Sequence, residues 1–247
     1  MERLNVKTLR WLPEQGRPEQ LMLLFHGVGA NAADLEPLAL WLKQAFPQAA
    51  LMSFDGLEPF DGDPSGQARQ WFSLQGITEA NRAERTRAVV GVVADMIRAA
   101  QDAVGLGPQA TALVGFSQGA IVSLEVVQQH DGLAGRVLAF AGRYAALPSH
   151  APRQTTLHFF HGSADGVIPV QHAKDAIGRL AELQGDATID IAEGAGHEIN
   201  GALLNCALFR LRNHIPHRSW AAALGAAPAG AAGAAGRADD DTPPPSA

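Results

Sequence analysis

The stretch Ala112–Val127, ALVGFSQGAIVSLEVV, decides how the rest of the chain is read. It opens as an apolar, strand-like run, passes through Gly115-Phe116-Ser117-Gln118-Gly119, and continues into a helical pattern. A serine at that seam helps neither element, because its hydroxyl has no use in a buried strand and competes with the backbone inside a helix. The G-x-S-x-G form supplies a reason. Glycines two residues to either side let a strand and a helix approach closely at a sharp turn. The serine at the apex is strained and presented above the carboxyl edge of a sheet. Ser117 is placed for reaction rather than for packing.

Outward from this seam, short apolar runs alternate with helical patterns. Strands are expected at 21–27, 49–55, 111–117, 136–142, 155–162 and 187–193. Helices are expected at 31–46, 79–104, 118–130, 170–184 and 199–215, the first capped by Asn31 or Asp34 and the second stopped by Gly105, Gly107 and Pro108. A long loop rich in Gly, Pro and Asp follows the second strand. Apolar strands alternating with helices imply an α/β class: a mostly parallel central sheet with helices on both faces.

Composition bounds the function. Of 247 residues, 47% are hydrophobic and 18% charged, as in an ordinary globular chain with a sizeable core. A net charge of -6 without a basic cluster argues against a nucleic-acid partner. The single cysteine, Cys206, cannot form an internal disulfide, which fits a reducing compartment. Its setting, GALLNCALFRL, marks a buried bystander rather than a nucleophile. The N-terminal MERLNVKTLRWLPEQG carries charges and no continuous apolar core, so no signal peptide is expected. With no apolar run of about 18 residues, stable membrane association is not expected, and a cytoplasmic location is the default. From about Ser219 the composition changes, and AAALGAAPAGAAGAAGRADDDTPPPSA (221–247) buries too little apolar surface to offset the cost of ordering. The expected organisation is one domain over 1–218 and a disordered tail over 219–247.

A serine hydroxyl is a poor nucleophile at neutral pH and needs a base, itself oriented by a carboxylate. On an elbow of this kind the chain order is serine, acid, histidine. HFFHGSADGVIP (158–169) ends one strand and delivers Asp165 in a glycine-flanked loop; IDIAEGAGHEI (189–199) ends the next and delivers His197. Both sit past the carboxyl ends of strands, on the same rim as Ser117. Asp186 and Asp190, at or within the last strand, fit a solvated face better. The oxyanion formed during acyl transfer needs two backbone N–H donors. Gln118 supplies one from a helix N-terminus, and Val28 in LLFHGVGAN (23–31) supplies the other, with His26 shaping that loop by hydrogen bonding. HGVG is not a phosphate-binding loop, no dinucleotide fingerprint follows a strand, and no metal-ligand spacing occurs; no cofactor or metal is expected.

Five segments, LLFHGVGAN, RQWFSLQGI, ALVGFSQGA, HFFHGSADGVIPV and GAGHEI, together resemble the phospholipase/carboxylesterase branch of the α/β-hydrolases, which includes bacterial carboxylesterases and acyl-protein thioesterases. The resemblance implies the α/β-hydrolase fold, a triad of Ser117, Asp165 and His197, and an oxyanion hole of Val28 and Gln118. It also implies that Trp71 and Phe72 border an acyl pocket, although aromatics there would equally anchor a long loop to the core. Two departures stand out: the tail has no counterpart, and Val28 replaces a common leucine. The link from Gly142 to Thr155 is too short for a lid domain, so an open, permissive site is expected. The implied activity is hydrolysis of short-to-medium-chain carboxylic esters or thioesters of small molecules through an acyl-enzyme. Alternatives are acyl-protein thioesterase or lysophospholipase activity, acyl transfer to an alcohol or peroxide, and a non-catalytic binding protein on the same scaffold. Oligomeric state has no signature in the sequence.

Overall fold

The computed structural model describes residues 6–223. Its strands and helices run in the order β1 (Thr8–Trp11), β2 (Gln20–Phe25), α1 (Glu36–Ala45), β3 (Ala49–Phe54), β4 (Glu58–Pro59), β5 (Arg69–Gln70), α2 (Glu79–Val104), β6 (Thr111–Phe116), α3 (Gln118–Gln129), β7 (Arg136–Phe140), β8 (Thr156–Gly162), α4 (Gln171–Glu182), β9 (Ala187–Ala192), α5 (Gly201–Asn213) and α6 (His217–Ala223). The main sheet has seven strands in the order β1-β3-β2-β6-β7-β8-β9. Every pairing from β3 to β9 is parallel, and only β1 joins antiparallel, on β3.

Alternation along the strands divides the core between the two faces. In β2, Leu21, Leu23 and Phe25 face α2, α3 and α4, whereas Met22 and Leu24 face α1 and α5. β6 and β7 repeat this, with Leu113, Val137 and Ala139 on the first face and Val114, Leu138 and Phe140 on the second. Both faces are covered, which is why these strands read as continuous apolar runs rather than as alternating ones.

The structure adds elements that the apolar pattern does not announce. β1 is short, with no residue fully buried, so it carries little hydrophobic signal. The long loop after β3 holds a two-residue ribbon, β4 paired with β5. The helix expected from 31 begins as a 3-10 turn, Ala32–Leu35, capped by Asn31 and Asp34 together, before α1 starts at Glu36. The Asn31 side chain accepts from Ala33 N–H while Asp34 accepts from Asn31 N–H, a reciprocal capping box. Residues 141–155, between β7 and β8, carry neither helix nor strand.

The chain divides into two units between His214 and Ile215. The expected boundary at 218 falls inside α6, the one described helix of the second unit. Of the expected tail, residues 224–247 lie outside the described residues.

Candidate active site

Four loops leave the carboxyl ends of β2, β6, β8 and β9, and the site is built from them. The turn after β6 gives Ser117 φ 52 and ψ -115, a backbone conformation that a non-glycine residue seldom adopts. Two close approaches hold it there. A Cβ on Gly115 would lie 2.6 Å from the Ala120 backbone, and one on Gly119 would lie 2.1 Å from the Phe25 carbonyl oxygen. Only glycine lets α3 start this near both its own strand and the end of β2. The Ser117 N–H donates to Phe140 O at 2.9 Å, fixing the turn to the next strand.

The parallel pairing of β8 with β9 sets His161 opposite Ile191 and Gly162 opposite Ala192, so their loops emerge side by side. The two loops are then joined directly. Ser163 N–H donates to Ala192 O (3.0 Å), Ala164 N–H to Ala195 O (2.9 Å), and Gly194 N–H to Ser163 Oγ (2.8 Å). Asp165 and His197, 32 residues apart, meet as a consequence. His197 Nδ1–H donates to Asp165 Oδ2 at 2.8 Å, which leaves Nε2 to accept from Ser117 Oγ–H at 2.9 Å. The phenyl ring of Phe116 packs 5.0 Å from the His197 ring, centroid to centroid, limiting its swing.

Asp165 is buried, and its second oxygen, Oδ1, accepts from the N–H groups of Val167 (2.8 Å) and Ile168 (2.9 Å). Burial by itself would push the carboxyl upward. The His197 hydrogen bond and the Ile168 and Val167 N–H groups outweigh it, so Asp165 titrates below the usual carboxylate range. An ionised carboxylate of this kind selects the His197 tautomer whose Nε2 is free to take a proton.

The loop after β2 passes close above the elbow: a Cβ on Gly27 would lie 3.3 Å from Ser117 Cβ. Among the described residues, neither the Val28 nor the Gln118 N–H is engaged by a backbone or side-chain acceptor. His26 shapes this loop as expected. Its buried ring accepts from Gly56 N–H at Nε2 (2.8 Å) and donates from Nδ1 to Gly27 O. Burial lowers its pKa, so it stays neutral.

The burial of Trp71 and Phe72 favours the loop-anchoring reading over the border of an acyl pocket. Trp71 has no exposed surface and Phe72 only 3%, and both lie in the core against Phe25 and its neighbours. Trp71 anchors the loop instead, donating from Nε1 to His26 O (2.9 Å). Its partner across 47 residues is the Gln118 side chain, whose Oε1 accepts from Trp71 N–H (2.8 Å) and whose Nε2 donates to Phe72 O (2.7 Å). This clasp was not legible, because a glutamine after the serine signals only its backbone N–H. Val167, two residues past Asp165, is exposed; Leu147, also exposed, lines a separate cavity of about 220 Å³ with Arg143, Tyr144, His172 and Asp175.

Asp186 departs from the solvated face expected of it. It is buried, accepting from Thr156 Oγ1–H (2.7 Å) and paired with His214 Nε2 (2.9 Å). Asp190 is half-buried in a two-point pair with Arg210. Both occupied carboxylates belong to the packing of α5 and its exit, which leaves Asp165 as the acid that meets His197. Among the described residues, no group of three or more His, Cys, Asp or Glu is arranged to hold a metal ion, and no helix is long and apolar enough to cross a membrane.

The chain is similar to known proteins. The phospholipase/carboxylesterase family model matches residues 12–215. The esterase YpfH of Escherichia coli K12 is 46% identical over 206 residues, covering 83% of this chain and 88% of that protein. The crystal structure of esterase PE8 superposes with a TM-score of 0.76 at 26% identity, over 85% of this chain and 99% of that one. A Bacillus cereus carboxylesterase shares the fold at 16% identity, with a TM-score of 0.67 over 83% of this chain and 93% of its own. With a family match over most of its length and a relative at 46% identity, the chain belongs to the phospholipase/carboxylesterase family.

Proposed function

We propose that this protein is a serine carboxylesterase that hydrolyses carboxylic esters of small molecules through an acyl-enzyme intermediate. The observation that carries the reading is the unbroken chain of hydrogen bonds from Ser117 Oγ through His197 to Asp165, built on a strained elbow. His197 Nε2 takes the hydroxyl proton as Ser117 attacks the ester carbonyl, and Asp165 stabilises the imidazolium that forms. The negative oxygen is received by the N–H groups of Val28 and Gln118, each worth about 3–4 kcal/mol in comparable hydrolases. The positive end of the α3 dipole adds to that field. His197 then protonates the departing alcohol and activates water to release the acid.

Several finer features belong to the same proposal: acceptance of thioesters, a preference for short-to-medium acyl chains, and a cytoplasmic place of action. Val167, exposed two residues past Asp165, offers apolar surface to an acyl chain, and the short 141–155 link supports an open site.

The test is labelling with a fluorophosphonate probe together with p-nitrophenyl ester hydrolysis. Wild-type protein should label at Ser117 and turn over. Ser117→Ala should do neither while unfolding at the same temperature. His197→Ala should lose nearly as much activity, and Asp165→Asn about four orders of magnitude in kcat. Undiminished turnover in Ser117→Ala would reject the assignment.

A further inference from the structure

We propose that His161 is a positioning residue for this reaction, holding the loop that presents Asp165 and facing the carboxylate oxygen to which His197 is bound. The inference rests on the proposed role of Asp165 and extends it to a residue with no contact to substrate.

His161 lies near the carboxyl end of β8, four residues before Asp165, and is completely buried. Its Nε2 is 2.7 Å from Ile168 O. A carbonyl oxygen can only accept, so Nε2 carries the hydrogen. Ile168 is also the residue whose N–H donates to Asp165 Oδ1. The two bonds close the loop on itself: His161 holds the Ile168 carbonyl while the Ile168 N–H holds the carboxylate. The same Nε2 lies 3.3 Å from Asp165 Oδ2, the oxygen that receives His197 Nδ1–H. The positive end of the N–H dipole therefore sits beside the charge that must persist through the cycle.

The other ring nitrogen has no such partner: among the described residues, His161 Nδ1 is buried without a hydrogen bond. An unpaired buried acceptor costs free energy that a phenylalanine of similar shape would not incur. Packing alone gives no reason for a histidine here. The contact at Nε2 does, because it orders one end of the Asp165 loop. The other end is already fixed by the Ser163 and Ala164 bonds to the neighbouring loop.

The experiment compares His161→Phe, which keeps the bulk and removes the donor, with His161→Gln, whose amide N–H reaches about as far as Nε2. Each is made alone and in the Asp165→Asn background, with kcat, KM and thermal unfolding measured on a p-nitrophenyl ester. His161→Phe should lower kcat by about 10- to 100-fold, the range seen for outer partners of ligand histidines, with KM little changed. His161→Gln should recover most of that loss. In the Asp165→Asn background, His161→Phe should remove less than about 3-fold more, since the two act on one group. A folded His161→Phe with wild-type kcat would overturn the proposal, as would a loss of the same size in both backgrounds. Retained activity in Asp165→Asn alone would instead bring down the triad reading on which it rests. Should His161→Phe fail to fold, nitrogen-15 NMR of wild-type histidines decides: an Nε2-bound proton is expected for His161, and an Nδ1-bound proton would overturn the assignment.

Discussion

Gly119→Ala is the smallest change that should test the elbow geometry directly. The added Cβ would stand 2.1 Å from Phe25 O, 2.5 Å from Phe25 C and 2.6 Å from His26 O, where real contacts of this kind stay above 3.0 Å. All three atoms are backbone within or just past a central strand, so none can rotate away. The first turn of α3 must retreat by about 1 Å, carrying the Ser117 hydroxyl out of its 2.9 Å bond to His197 and the Gln118 N–H away from the oxyanion. A misplacement of that size costs about 100-fold in kcat. Overpacking of this kind should also cost about 1–3 kcal/mol of stability. Steady-state ester hydrolysis and thermal unfolding read both effects. Gly91→Ala is the control: that glycine is an exposed interior residue of α2 with nothing within 4 Å of the added carbon. It should leave kcat unchanged and stabilise by about 0.5–1 kcal/mol. Wild-type kcat and an unshifted melting temperature in Gly119→Ala would refute the claim that close approach at this glycine sets the serine.

Other outcomes follow from single contacts. Gln118→Leu keeps the backbone N–H but leaves Trp71 N–H and Phe72 O buried without partners, so it should cost about 2–6 kcal/mol and reduce kcat; unchanged urea unfolding would show the clasp to be idle. His158, buried in β8, accepts from Arg136 at Nε2 (3.0 Å) and donates from Nδ1 to Thr188 Oγ1 (2.8 Å). Burial, with Arg136 adding to it, pushes its pKa from 6.5 to about 3. The unfolded chain therefore takes up a proton that the folded one refuses. Stability present above pH 6.5 should be lost as pH falls toward 3, by up to about 1.4 kcal/mol per pH unit. His158→Gln should flatten melting curves between pH 6.5 and about 4.5; an equally steep decline would place the acid sensitivity elsewhere.

How far the sequence could be read depended on the range of the interaction involved. The strands β2, β3, β6, β7 and β8 were legible because each is apolar on both faces, and α2 because its spacing and its terminal Gly105 are local signals. β1 was not, since a four-residue edge strand without a fully buried residue has no periodicity to show. Asp186 was misread as solvated because its partners, Thr156 and His214, lie about 30 residues away on either side. Trp71 and Phe72 admitted two readings until their burial supported the anchoring one. The hydrogen bonds of Gln118 to the 71–72 loop have no local signature at all.

For this protein, the order of residues along the chain was sufficient to determine the elbow, the strand-end positions of Asp165 and His197, and the family pattern they compose. Those features are encoded within a few residues each, as glycine spacing and as the switch from strand to helix period. Tertiary structure alone decided that the two loops interlock, that the serine, imidazole and carboxylate come within hydrogen-bond distance, and that Trp71, Gln118 and His161 are buried with hydrogen bonds to the loops around them. Such contacts depend on strand order and register, and those are settled only when the whole sheet has packed against its helices.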